Sequence, residues 1–246
     1  MLHRRNFLRA VLATVGGALA SACREPETYV PLEEGEAYFP QSVASGDPRP
    51  DAVILWTRVD DPEAAGDLEV RLEVATDDAF VDVLTIDGSE ALSVAAEAAY
   101  DRCVKVKVRG LEPATTYYYR FIYAADGRRF VSRTGRTKTA PAPDADVAVR
   151  FAFVSCQDYI GRYYNAYRRL AAQELDFFVH LGDYIYETTG DPRFQGGADR
   201  QITFDDAEGA IPHGEYQAAR SLDNYRQLYR TIRSDRALQA THEALA

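Results

Sequence analysis

The sequence predicts a chain of mixed β and α/β class, in which a β-sandwich is followed by the start of an α/β domain. Three observations carry this. Leu68–Val74 and Cys103–Val108 alternate apolar and charged residues with period two, as half-buried antiparallel strands do. Two short apolar runs, Arg150–Ser155 and Asp176–Leu181, flank a segment with helical spacing, which gives strand, helix, strand and hence a right-handed crossover between parallel neighbours. Between the two regions, Ala140-Pro141-Ala142-Pro143-Asp144 reads as a short stiff linker.

The composition narrows the function classes. With 28 Lys and Arg against 38 Asp and Glu, the 246-residue chain carries a formal net charge of −10, which argues against a protein that coats nucleic acid. Hydrophobic content of 46% and charged content of 27% are those of a globular protein rather than a disordered one. Three cysteines are too few for a disulfide-built scaffold.

The first element is an address. Residues 1–22 hold Arg4, Arg5 and Arg9 with no acid, and Ala10 to Ala20 is a small apolar run. A bilayer span needs about 20 apolar residues, so this run is too short to be one and suits the h-region of a signal. The Arg4-Arg5 pair followed by Phe7-Leu8 resembles a Tat export signal, which would make the Tat machinery a partner and place the protein in the periplasm or cell envelope. Leu19-Ala20-Ser21-Ala22-Cys23 resembles a lipobox, with Cys23 as the lipidated first residue of the mature chain. Ala20-Ser21-Ala22 also fits ordinary cleavage after Ala22, but the lone cysteine directly behind the apolar run favours lipidation. Residues 23–36 read as an acidic tether, and no other segment is apolar enough to cross a membrane.

Residues 37–139 read as the sandwich. Ala52–Val59 is a β-rich run that follows the turn cluster Ser45-Gly46-Asp47-Pro48. Leu111-Glu112-Pro113-Ala114-Thr115-Thr116-Tyr117 has the L-x-P-x-T-x-Y spacing of the tyrosine corner in fibronectin type III-like sandwiches, so the Tyr117 hydroxyl is expected to bond to backbone near the turn. Tyr117, Tyr119, Phe121 and Tyr123 share one face of the next strand, and core packing explains that stripe better than a carbohydrate platform. Cys103 reads as a small buried hydrophobe.

Residues 147–246 carry the chemistry. The helix between the two apolar strands is expected over Gly161–Leu175. Cys156 and Asp183 each follow a strand's carboxyl end, the edge at which open α/β sheets bind ligands, and Tyr186 lies three residues beyond Asp183. A carboxylate bridges cations. A phenolate, with an ordinary pKa near 10, and a thiolate need a strongly Lewis-acidic ion to hold them deprotonated. Together Cys156, Asp183 and Tyr186 suggest ferric iron (Fe3+), with Asp183 shared with an oxygen-loving ion such as calcium. His180 sits on an apolar strand and reads as core. Tyr184 and Glu187 read as supports of the site, and His213 as a solvated loop residue.

The segments SGDP and VILWTRV, then FVSCQ, then DFFVHLGDYIYE, resemble the PhoD-type alkaline phosphatases and their phospholipase D-like relatives from about Ala37 onward. Purple acid phosphatases share G-D-x-x-Y but place an Asp motif on the first strand, where this chain has Ser155-Cys156. The resemblance implies an exported phosphoesterase with a sandwich ahead of a metallophosphoesterase domain, using iron and calcium to hydrolyse phosphate mono- or diesters with metal-activated water. It puts the thiolate ligand on Cys156, the bridging and catalytic carboxylate on Asp183 and the phenolate on Tyr186. It also implies further ligands beyond Ala246, so the chain is expected to be the N-terminal part of a longer enzyme or a truncated reading frame; a monomer is expected. The competing expectation is a catalytically incompetent envelope lipoprotein whose sandwich binds a partner.

Two more expectations concern the end of the chain. Thr188–Glu215 is polar and Gly-rich and reads as a long loop, either a lid or a substrate-binding insertion. Ser221–Arg230 and Ser234–Ala246 read as helices capped by Ser221 and Ser234.

Overall fold

The computed structural model describes residues 30–197, 199–208, 210–213 and 216–246. The signal segment 1–22, Cys23 and the tether as far as residue 29 lie outside the described residues. Residues 32–246 form one compact unit. Among the described residues no helix is long and apolar enough to cross a membrane.

Two sheets make the sandwich. One contains β2 (Val43–Arg49), β3 (Ala52–Arg58) and β6 (Cys103–Arg109), with β3 central and both pairings antiparallel. The other runs β1 (Leu32–Glu34), β8 (Arg128–Val131), β7 (Thr116–Ala125), β4 (Leu68–Ala75), β5 (Leu92–Ala96), with β9 (Gly135–Lys138) also paired to β7. The alternation works as expected: Val70, Leu72 and Val74 are fully buried while Glu69 and Arg71 face solvent. Tyr117, Tyr119, Phe121 and Tyr123 all point into the core between the sheets. The tyrosine corner forms, with the Glu112 backbone N–H donating to the Tyr117 hydroxyl at 2.9 Å. Cys103 is only half-buried, because it opens strand β6 rather than lying within it. Residues 32–34, expected in the tether, instead pair in parallel with β8, and Arg128 bonds Glu33 across that pairing.

The α/β region begins with β10 (Phe151–Val154) and β11 (Phe177–His180), parallel and in register from Phe151 opposite Phe177 to Val154 opposite His180. The helix between them, α1 (Asn165–Ala171), is shorter than the Gly161–Leu175 pattern predicts. Gly161 sits at φ +65° against the Gly196 carbonyl, where any Cβ would come within 2.6 Å of that oxygen, so the segment before Asn165 is held as a loop. Tyr164 and Tyr167 pack with Ile232 and Leu238 on one side of the strand pair, together with Val154 and Phe178. On the other side Phe151, Phe153 and Val179 are exposed.

The expected loop keeps irregular backbone over most of its described length, but a small sheet ties its two ends together. β12 (Thr188–Thr189), β14 (Tyr216–Ala219) and β13 (Ala210–His213) pair antiparallel in that order. Pro212 lies on β13, an edge strand, where its missing N–H costs no ladder bond. His213 is therefore a strand residue, not a loop residue.

Two helices close the chain. α2 (Leu222–Ile232) starts at Ser221, whose side chain accepts from the Asn224 N–H while the Asn224 side chain caps the Ser221 backbone in return. α3 (Arg236–Ala244) is capped by Asp235 rather than the expected Ser234: Asp235 accepts from the Ala237 and Leu238 N–H groups. Both helices lean on the sandwich, through Arg230 to Asp101 at 2.9 Å and Ser42 to Glu243 at 2.6 Å.

Candidate metal centre

The two parallel strands deliver their exits to the same edge, and the ladder continues a little past them. Leu181 N–H donates to the Val154 carbonyl, Cys156 N–H to the Gly182 carbonyl, and Gln157 N–H to the Asp183 carbonyl at 3.1 Å. This stitching holds Cys156 beside Asp183. Both adopt left-handed backbone, with φ of +58° and +54°. Such a conformation costs a non-glycine residue about 1–2 kcal/mol, and strain of this kind concentrates at functional sites.

The three candidate ligands converge on one atom. Cys156 Sγ lies 3.3 Å from Asp183 Oδ2, and the Tyr186 hydroxyl lies 3.2 Å from the same oxygen. Cys156 and Asp183 are exposed at the rim, and Tyr186 is half-buried. Burial, then the hydrogen bonds with Cys156 and Asp183 and their negative charge, push the Tyr186 phenol above its ordinary value. Three acidic groups thus share one point, and among the described residues no basic side chain is bonded to any of them. A trivalent cation would replace their protons, and the thiolate, phenolate and carboxylate donor set fits iron. Among the described residues no cluster of three or more His, Cys, Asp or Glu exists that could hold a metal, so the phenol of Tyr186 is needed to make a third donor.

Gln157 is a buried residue beside the site that the pattern reading passed over. It is 5% exposed. Its Nε2 donates to the Tyr184 carbonyl at 3.0 Å, its Oε1 accepts from the Tyr167 hydroxyl, and its carbonyl accepts from the Tyr164 hydroxyl at 3.1 Å. It thereby locks both strand exits to helix α1. The available signal was an amide directly after Cys156, amid aromatic residues that leave a buried amide few partners.

Tyr184 does not support the ligands through its ring. Its hydroxyl meets His242 Nε2 at 3.0 Å on the helix side of the sheet, and its ring stacks on Tyr229. Glu187 is exposed, and its backbone carbonyl accepts from Ala219 N–H. His180 packs inward as expected, edge-on to Tyr184, and burial lowers its pKa. Beside Cys156 a cavity of about 370 Å3 opens, with Asp158, Arg162 and Tyr163 also in its wall.

Two family descriptions match this architecture, "PhoD-like phosphatase, N-terminal domain" over residues 23–141 and "PhoD-like phosphatase" over residues 151–246. The chain belongs to the PhoD-like phosphatase family. Alkaline phosphatase D of Bacillus subtilis (strain 168) is 38% identical over 213 residues, which cover 84% of this chain and 33% of that protein. A solved structure of PhoD is 35% identical with a TM-score of 0.69, covering 87% of this chain and 38% of that one. The chain therefore spans about a third of the length of the PhoD relatives it matches. Its family is one of phosphoesterases.

Proposed function

We propose that the chain contributes to a metal-dependent phosphoesterase centre, acting on phosphate mono- or diesters, in which Cys156, Asp183 and Tyr186 would hold iron and Asp183 would also serve calcium. The observation that carries this reading is the convergence of Cys156 Sγ and the Tyr186 hydroxyl on Asp183 Oδ2 at the exits of two parallel strands. When bound, the ions supply Lewis acidity and a water nucleophile at neutral pH. The chain's own residues fix the geometry: the strand exits aim the thiol and carboxylate, Gln157 prevents the two loops from separating, and Tyr186 closes the third side. The twin-arginine segment and Cys23 support export by Tat and a lipid anchor in the envelope, with the protein acting as a monomer.

The experiment is metal analysis with visible absorption. The purified wild type should hold stoichiometric iron and show thiolate- or phenolate-to-iron charge-transfer colour, and Asp183→Ala should lose iron and phosphoester hydrolysis together. A wild type without iron and without hydrolysis would instead favour a binding module.

A further inference from the structure

We infer that Arg162 is a phosphate-binding residue of the same centre, a step that rests on the phosphoesterase reading above. Arg162 and Cys156 line one cavity of about 370 Å3. The Arg162 side chain is exposed to that cavity, yet it is held rather than loose. Its Nη1 donates to the Gly161 carbonyl at 3.2 Å and its Nη2 to the Phe194 carbonyl at 3.0 Å. Its own backbone carbonyl accepts from Arg200 Nη1 at 2.7 Å. Arg200 is in turn anchored to Asp235 and stacked over the rings of Tyr159, Tyr163 and Tyr164 at 4.3–5.3 Å.

The charge of Arg162 is not spent on an acid. Both of its side-chain bonds go to neutral backbone oxygens, and among the described residues it forms no ion pair. The nearby acid in the cavity wall, Asp158, is engaged elsewhere, its Oδ1 accepting from Ile160 N–H and from Gln195 Nε2, both at 3.2 Å. A guanidinium carries five donors in a planar fork, and two are used here, so donors remain for an oxyanion.

Metal ions would bind phosphoryl oxygens as Lewis acids, but they supply no directional N–H donors, and a planar guanidinium fork does. Arg162 is the basic side chain in the cavity wall, and a fork pre-set by two backbone carbonyls binds phosphate with little further loss of side-chain freedom. The ligand class is the phosphoryl group itself, whichever alcohol it carries.

The test uses the full chain loaded with iron, inorganic phosphate as the probe, and calorimetry with metal analysis and melting temperature as readouts. Arg162→Gln should weaken phosphate binding at least tenfold and Arg162→Lys by a smaller factor, with iron content and melting temperature unchanged in both. Equal phosphate affinity in wild type and Arg162→Gln would overturn the inference and leave the metal reading intact. Loss of iron along with phosphate in Arg162→Gln would also overturn it, since the residue would then be supporting the loop that carries Cys156. A wild type that holds iron but binds no phosphate would overturn this inference alone. A wild type that holds no iron would overturn the phosphoesterase reading and this inference with it.

Discussion

Cys156 Sγ stands 3.3 Å from Asp183 Oδ2 across 27 residues of sequence, and both residues hold left-handed backbone, at φ +58° and +54°. The pairing is built by two parallel strands that end in register, Val154 opposite His180. The strain is the useful part: a glycine would sit there with less cost, but only a cysteine and an aspartate bring a thiolate and a carboxylate to one point.

That trade-off separates stability from metal binding. Asparagine tolerates the left-handed region as well as aspartate does, whereas alanine loses about 1 kcal/mol there. Asp183→Asn should therefore match the wild type in metal-free melting temperature while losing iron. Asp183→Ala should lose both iron and stability. Thermal melts of metal-stripped protein, paired with metal analysis, check this, and an Asp183→Asn variant that keeps full iron would remove Asp183 from the ligand set.

Tyr186→Phe keeps the ring and deletes the hydroxyl that lies 3.2 Å from Asp183 Oδ2. The ring's packing survives, so melting temperature should hold. Iron affinity should fall by about tenfold or more, on the scale seen when a coordinating or supporting group is removed from a metal site, and the phenolate band should vanish from the visible spectrum. Titration with iron followed at that band measures both.

How much of this was legible depends on which physical signal each element emits. The sandwich was, because burying Val70, Leu72 and Val74 while exposing Glu69 and Arg71 writes a period of two into the chain. The strand exits were too, since apolar runs ending at Val154 and His180 leave Cys156 and Asp183 at one edge. The sheet of β12, β13 and β14 was not: strands of two and four residues, one containing Pro212, are too short to show a period. The cap of α3 was misplaced by one residue because Ser234 and Asp235 are both competent caps. Ser234 is taken by the Thr231 carbonyl at the end of α2, which leaves Asp235 to start α3. Gln157 escaped because its role rests on partners in two separate segments, at Tyr164 and Tyr167 and at Tyr184, neither of them readable from spacing.

Gln157→Leu should test that lock. It leaves the Tyr184 carbonyl and the Tyr167 hydroxyl without their partner in a buried setting, at about 1–3 kcal/mol in total stability. It should also loosen the spacing of Cys156 and Asp183, so iron affinity should fall even where the protein remains folded. Chemical denaturation of the metal-free protein gives the first number and iron titration the second. Unchanged iron affinity would confine Gln157 to a packing role.

Gly135 tests the sandwich independently of the site. A Cβ there would meet Tyr119 Cζ at 2.2 Å, and Tyr119 is fully buried with no room to retreat. Overpacking of this severity costs about 3 kcal/mol or more, so Gly135→Ala should lower the denaturation midpoint sharply, and adding Tyr119→Phe should recover little because the clash is with the ring. Substantial recovery in the double variant would mean that the hydroxyl, not the ring, is the obstacle.

His242 predicts a pH dependence with a definite sign. It is 9% exposed, and burial first, then the positive charges of Arg233 and His180, hold its pKa well below the ordinary value of about 6.5. The unfolded chain therefore binds a proton near pH 6.5 and the folded chain does not. Stability must fall as pH drops below that value, by up to about 1.4 kcal/mol per pH unit for one histidine. His180, lowered mainly by burial with Asp183 opposing, adds in the same direction. Carboxylates such as Asp176, held below their ordinary range chiefly by the Arg150 N–H and then by Lys138, release their stabilisation only at lower pH, so the window from pH 6.5 to 5 isolates the histidines. His242→Gln preserves a partner for the Tyr184 hydroxyl and removes the titrating group. Denaturant unfolding of metal-free protein across that window should show a shallower slope in His242→Gln than in wild type, with the remainder belonging to His180. An identical slope in the two proteins would show that His242 accepts its proton in the folded state as readily as in the unfolded one, and that the Tyr184–His242 contact does not hold the ring neutral.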